Sequence, residues 1–152
     1  MLYWIVLASK MSAKKIIRSL NKTNAKKFSK HLLDESTTEV RIVELCETSI
    51  TDGTLRCAIG EAYVFFINSN LDKVLKIHDE KFAKYTDWHG GANGAAIDAL
   101  VKAANVKKGF TKRQLGEALS EVMSNNDNAD NMLDRVRLVV GTWNSKVVPL
   151  LK

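Results

Sequence analysis

The chain carries no acidic residue before Asp34, one proline (Pro149), two cysteines (Cys46 and Cys57) and no apolar run long enough to cross a bilayer. Each shortage excludes something. Two cysteines are too few for a disulfide-built scaffold, and too few for a thiolate zinc site without other ligands. If Asp52-Gly53 were a two-residue hairpin turn, Thr48 would face Cys57 and the two thiols would be diagonal neighbours rather than partners. A reduced, cytoplasmic protein is the expectation. The apolar run at residues 2–8 is far below the roughly 20 residues of a membrane span, and no basic residue precedes it as in a secretory signal. An acid-free, amphipathic, basic start also fits a transit peptide, but lysine outnumbers arginine seven to one in residues 1–30. Met11-Ser12 reads as a natural start, so residues 1–10 are taken as an apolar extension that adds an edge strand or packs on the core.

What the opening segment does contain is positive charge. Residues 1–30 hold eight basic side chains: Lys10, Lys14, Lys15, Arg18, Lys22, Lys26, Lys27 and Lys30. With 23 Lys and Arg against 17 Asp and Glu in the whole chain, the net +6 splits into +8 before residue 31 and −2 beyond it. Such asymmetry points to an anionic partner: nucleic acid, a phosphate-rich ligand or a membrane face. Otherwise the composition is that of an ordinary folded domain, with 45% apolar and 26% charged residues over 152 positions.

Hydrophobic spacing supplies the elements. Ala13, Ile16, Ile17 and Leu20 recur at helical intervals and predict a helix over residues 12–20. After a break at residues 21–24, a second helix from Thr23 or Asn24 buries Ala25, Phe28, Leu32 and Leu33, with Lys26, Lys27 and Lys30 on its other face. Residues 39–47 and 54–68 are apolar without a deciding period, so helix and strand both stand there. A helix capped by Ser69 or Asn70 carries the stripe Leu71, Val74, Leu75, His78 and Phe82. Residues 87–93 read as a loop, with Asn93 capping a helix to Ala104 that buries Ala96, Ile97, Leu100 and Val101. Thr111 and Gln114 have capping-box spacing, and Phe110 and Leu115 take the hydrophobic-staple positions of a helix to about Met123. Residues 124–128 read as a polar linker. A last helix is marked by Met132, Leu133, Val136, Val139 and Val140 and stopped by Gly141.

Several groupings are candidates for chemistry. Lys14, Lys15, Arg18, Lys22, Lys26, Lys27 and Lys30 form a phosphate-contacting set, each contact steepening the salt dependence of duplex binding by about 0.9. The bland alternative is a solvated helix face. Asp87, Trp88 and His89 beside Gly90-Gly91 offer an oriented imidazole and a stacking ring, or simply a glycine turn. Cys57, if it opens a helix, sits where the dipole lowers a thiol pKa, with His89 or His31 as base; more often such a cysteine is a small buried hydrophobe. A helix-turn-helix over residues 111–140 would set Asp127, Asp130 and Asp134 against phosphate, which argues against it. No metal-ligand spacing, calcium loop or Gly-rich phosphate loop is present, so no metal and no cofactor is expected.

Asp52, Gly53, Arg56, Cys57, Ala58, Gly60, Trp143 and Asn144 together give a Gly-containing turn, an Arg-Cys-Ala-x-Gly element and a late Trp-Asn. In these the chain resembles an uncharacterised family of small bacterial and phage domains, over roughly residues 39–151. The resemblance implies a mostly helical fold with Cys57 near Trp143, and no activity. After Trp-Asn this chain runs straight into Val147-Val148 where the family has a longer polar stretch.

The sequence therefore predicts one mostly α-helical domain over residues 11–152, with basic helices in 12–33 and a β-hairpin near residues 40–60 as the α+β alternative. The leading functional expectation is a non-enzymatic accessory protein, of phage type, whose basic N-terminal face contacts nucleic acid or another polyanion. One alternative is a ligand-binding or hydrolytic pocket built from Cys57, Asp87, Trp88, His89 and Trp143. The other is a protein-interaction module that docks through its apolar N-terminus.

Overall fold

A computed structural model describes residues 17–34, 57–67, 84–86 and 91–152. Among them the fold is mostly helical, as the sequence predicts, with two isolated β-bridges and no strand. The helices are α1 (Lys22–Leu33), α2 (Ala58–Phe66), α3 (Gly91–Ala103), α4 (Lys112–Asn128) and α5 (Met132–Thr142). A π-helical turn, Trp143–Val147, and a 3-10 turn, Val148–Leu150, follow α5 directly. The predicted helix with the Leu71 stripe, the apolar extension and most of the hairpin alternative lie outside the described residues.

Apolar content decides which helix is central. α2 is apolar almost all round and is buried almost all round, from Ala58 to Tyr63 and again at Phe66. It packs on α3 and α4, while α1 packs on α5 and the two turns after it. The strand reading of residues 57–67 is thereby corrected: Cys57 is a helix N-cap with its thiol accepting from the Gly60 N–H. The next orphan donor, the Ala58 N–H, is met by the side chain of Asn126 at 2.9 Å.

That bond corrects a second expectation. Residues 124–128 are not a linker but the last turn and a half of α4, and Asn126 is fully buried there. Its backbone carbonyl accepts from the Arg135 side chain of α5 at 2.9 Å, so one residue ties three helices. Gly141 likewise fails to stop α5, which runs on into the π turn. Asn93 falls inside α3 rather than before it, with its buried side-chain oxygen unpartnered. Leu33, expected inside, is 56% exposed because Ala25, Phe28, Ser29 and Leu32 already complete the buried stripe. The capping box forms as predicted, Gln114 N–H to Thr111 Oγ1 at 3.1 Å and Thr111 N–H to Gln114 Oε1 at 2.7 Å.

The short turn at 84–86 is clamped between α3 and α4. Asp98 of α3 accepts from the Lys84 and Tyr85 N–H groups, and Ser120 of α4 donates to Thr86 Oγ1. The Tyr85 carbonyl lies 2.1 Å from where a Cβ on Gly116 would stand, so only glycine fits. Gly141, by contrast, has nothing within 4 Å of that position.

In urea titrations, Gly116→Ala is expected to destabilise by about 1–3 kcal/mol through overpacking. Gly141→Ala should stabilise by roughly 0.5–1 kcal/mol, because alanine removes backbone freedom from the unfolded chain without a clash. Asn126→Ala should cost about 1–3 kcal/mol, the penalty for orphaning a buried N–H, while Asn128→Ala at the exposed helix end should stay within about 0.5 kcal/mol of wild type.

Candidate nucleic-acid interface

The α1 helix carries Lys22, Lys26, Lys27 and Lys30 of the predicted basic set, and Arg18 precedes it. Asn21, extended at φ −117° and ψ 174°, caps it by accepting from the Asn24 N–H at 2.8 Å. Ala25, Phe28, Ser29 and Leu32 bury one face, so Lys26, Lys27 and Lys30 are exposed on the other, with Lys22 half-buried at the first turn. Lys22, Lys26 and Lys30 are spaced i, i+4, where like charges cost a helix about 0.2–0.5 kcal/mol per pair. None of these four lysines enters an ion pair among the described residues. The helix therefore tolerates a repulsive row that an anion would relieve.

Arg18 behaves differently from its expected role. Its backbone N–H donates to the Phe66 carbonyl at 3.1 Å, its guanidinium donates to the Phe65 carbonyl at 2.7 Å, and Cζ sits 4.2 Å from the Phe65 ring centroid. The cation thus covers the C-terminal end of the α2 dipole, a favourable placement in its own right. These tertiary bonds also explain why residues 17–20 are not the end of a helix: the Arg18 amide is spent on α2, and Leu20 bridges Ala104. Lys14 and Lys15 lie outside the described residues.

Sequence reading missed two further acid-free stretches. Residues 99–116 hold Lys102, Lys107, Lys108, Lys112 and Arg113, and residues 135–152 hold Arg135, Arg137, Lys146 and Lys152, with no carboxylate side chain in either. The signal was a simple count, hidden behind the −2 balance of the remaining chain. The fold brings these stretches to the start of α1 by backbone bonding. The Asn105 N–H donates to the Leu20 carbonyl at 2.9 Å, and the Lys152 N–H to the Asn105 carbonyl at 2.8 Å. The Lys22 N–H donates to the Lys152 carbonyl at 3.0 Å, and the Lys107 N–H to the Leu150 carbonyl at 2.8 Å. Lys107, Lys108, Lys112 and Lys152 are all exposed beside this junction.

A shallow groove of about 280 Å³ between α4 and the final turns does not extend the basic surface. Arg113 and Lys146 line it together with Glu117 and Glu121, and Arg113 pairs with Glu117 at 3.8 Å.

Asp87, Trp88 and His89 lie outside the described residues. Cys57 and Trp143 are both wholly buried. Trp143 packs on Phe28 and Phe66, its Nε1 donating to the Ala25 carbonyl at 2.8 Å, whereas Cys57 opens the opposite end of α2. His31, once a candidate base, bonds Glu61 at 2.7 Å. The expected dipole-lowered thiol is corrected too: burial pushes Cys57 up to about 12, outweighing the backbone N–H bonds of Gly60 and Ile59 that lower it. No group of three or more potential metal ligands occurs among the described residues.

Comparisons with protein-family models, with curated proteins and with solved structures find no match to this chain.

The buried thiol gives a direct check. Cys57 in the folded protein should resist iodoacetamide at pH 8, reacting only under unfolding conditions, as read by mass mapping of its peptide. Because its folded pKa is raised, its stabilising contribution is full below the unfolded value of about 8.5 and is lost towards 12. Wild type should therefore lose stability across that window more steeply than Cys57→Ala, by up to about 1.4 kcal/mol per pH unit.

Proposed function

We propose that this chain is a non-enzymatic nucleic-acid-binding accessory protein whose contact face is the outer side of α1 and the basic junction beside it. The observation that carries the reading is the row Lys22, Lys26, Lys27 and Lys30, which stands without ion pairs among the described residues. The meeting of three acid-free stretches through backbone bonds at the first turn of α1, with Lys107, Lys108 and Lys152 exposed there, supports it. Phosphate is the ligand chemistry such a surface favours, through counterion release rather than directed hydrogen bonding. The burial and raised pKa of Cys57 weigh against a thiolate nucleophile and so against the hydrolytic alternative.

Affinity for DNA and RNA oligonucleotides, measured at several salt concentrations, tests the proposal. The triple change Lys26→Glu, Lys27→Glu and Lys30→Glu should weaken binding and flatten the log–log salt slope by about 2–3, at roughly 0.7–0.9 per lost phosphate contact. Wild-type protein that binds neither nucleic acid, or a triple variant that binds with unchanged slope, overturns it.

A further inference from the structure

The turn between α3 and α4 has the makings of a base-stacking platform. Lys107, Lys108, Gly109, Phe110, Thr111, Lys112 and Arg113 follow one another, interleaving four cations with one aromatic ring. The Phe110 N–H donates to the Lys107 carbonyl at 3.1 Å, closing a four-residue turn with Gly109 at φ +100° in its third position. That is the position at which a type II turn demands glycine. The turn is held on both sides: Lys107 N–H bonds the Leu150 carbonyl, and Thr111 N–H bonds the Gln114 side chain in the capping box.

On this fixed turn Phe110 is 40% exposed, although its staple position predicts that it be covered, while its expected partner Leu115 is fully buried. Lys107, Lys108 and Lys112, within three positions of the ring in sequence, are exposed, and none forms an ion pair among the described residues. Stability explains neither feature. An exposed ring forfeits burial, and Lys112 and Arg113 in the first turn of α4, where no acidic residue stands, oppose the helix dipole.

Resting on the nucleic-acid reading above, we infer that residues 107–113 bind single-stranded nucleic acid, with a base stacked on Phe110 and the flanking phosphates on Lys107, Lys108 and Lys112. The strand is preferred to duplex because a ring on a convex turn reaches a base face only when that base is unpaired, and stacking is tolerant of sequence. The Asn105 to Leu20 bond brings the segment that leads into this turn to the start of α1, so the two lysine-bearing segments meet at one junction.

The test uses the full chain and four probes: labelled oligo-dT, an abasic oligomer of equal length, a duplex and inorganic polyphosphate. Phe110→Ala and the bulk-conserving Phe110→Leu should each weaken oligo-dT binding at least about fivefold, the low end for one stacked base, and leave abasic and polyphosphate binding unchanged. Phe110→Trp should restore it. Loss on all probes equally, no loss on oligo-dT, or tighter binding of duplex than of single strand overturns the inference. The α1 triple variant separates the two claims: if it weakens every probe while both Phe110 changes weaken none, the contact face stands and the stacking site falls. Absence of binding to all four probes removes both.

Discussion

The placement of α1 depends on Trp143. Its ring is fully buried, 4.7 Å from the Phe28 centroid and 6.0 Å from that of Phe66, and its Nε1 proton is given to a backbone carbonyl of α1. Phe28 in turn lies 5.6 Å from Phe66, so α1, α2 and the π turn share one aromatic knot. Removing a core aromatic of this kind costs about 3–5 kcal/mol, against about 0.2–0.5 kcal/mol for each repelling lysine pair on the opposite face. Packing wins by an order of magnitude. A helix that would be poor in isolation is thus held in place from behind, and its exposed side can carry charge without regard to helix stability.

Charge and scaffold are separated in the same way at the junction beside α1. The three acid-free stretches are joined through main-chain N–H and C=O groups, and the lysine side chains take no part in the joining. Where cations do have a structural duty, at Arg18 and Arg135, they are recognisable by their contacts with the end of α2 and with the Asn126 carbonyl. The repulsive lysines and the partly exposed Phe110 are the points at which local preference and global fold disagree, and such disagreements are where function is best sought.

What was legible in the sequence was whatever depended on near neighbours. The Thr111–Gln114 box and the stripe Ala96, Ile97, Leu100 and Val101 rest on residues three or four apart, and both are present. The helical class followed from the same periodicities. What was illegible depended on distant partners. Asn126 reads as linker because its partner Ala58 is 68 positions away, and only that partner makes burial of an asparagine tolerable. Residues 17–20 keep helical spacing but give their backbone groups to Phe66 and Asn105. Spacing left helix and strand open around Cys57, and the cover over this helix start, which sets its acidity, cannot be read from spacing either.

The aromatic knot also joins the two ends of the sequence. Ala25 and Trp143 are 118 positions apart, as are Ser29 and Asn144 by 115, so the contacts that seat α1 close a loop spanning most of the chain. Such distant contacts form late, after the loop-closure entropy has been met. The lysine-bearing face of α1 is thus seated by contacts that reach across most of the sequence, so its presentation depends on residues far from the lysines themselves.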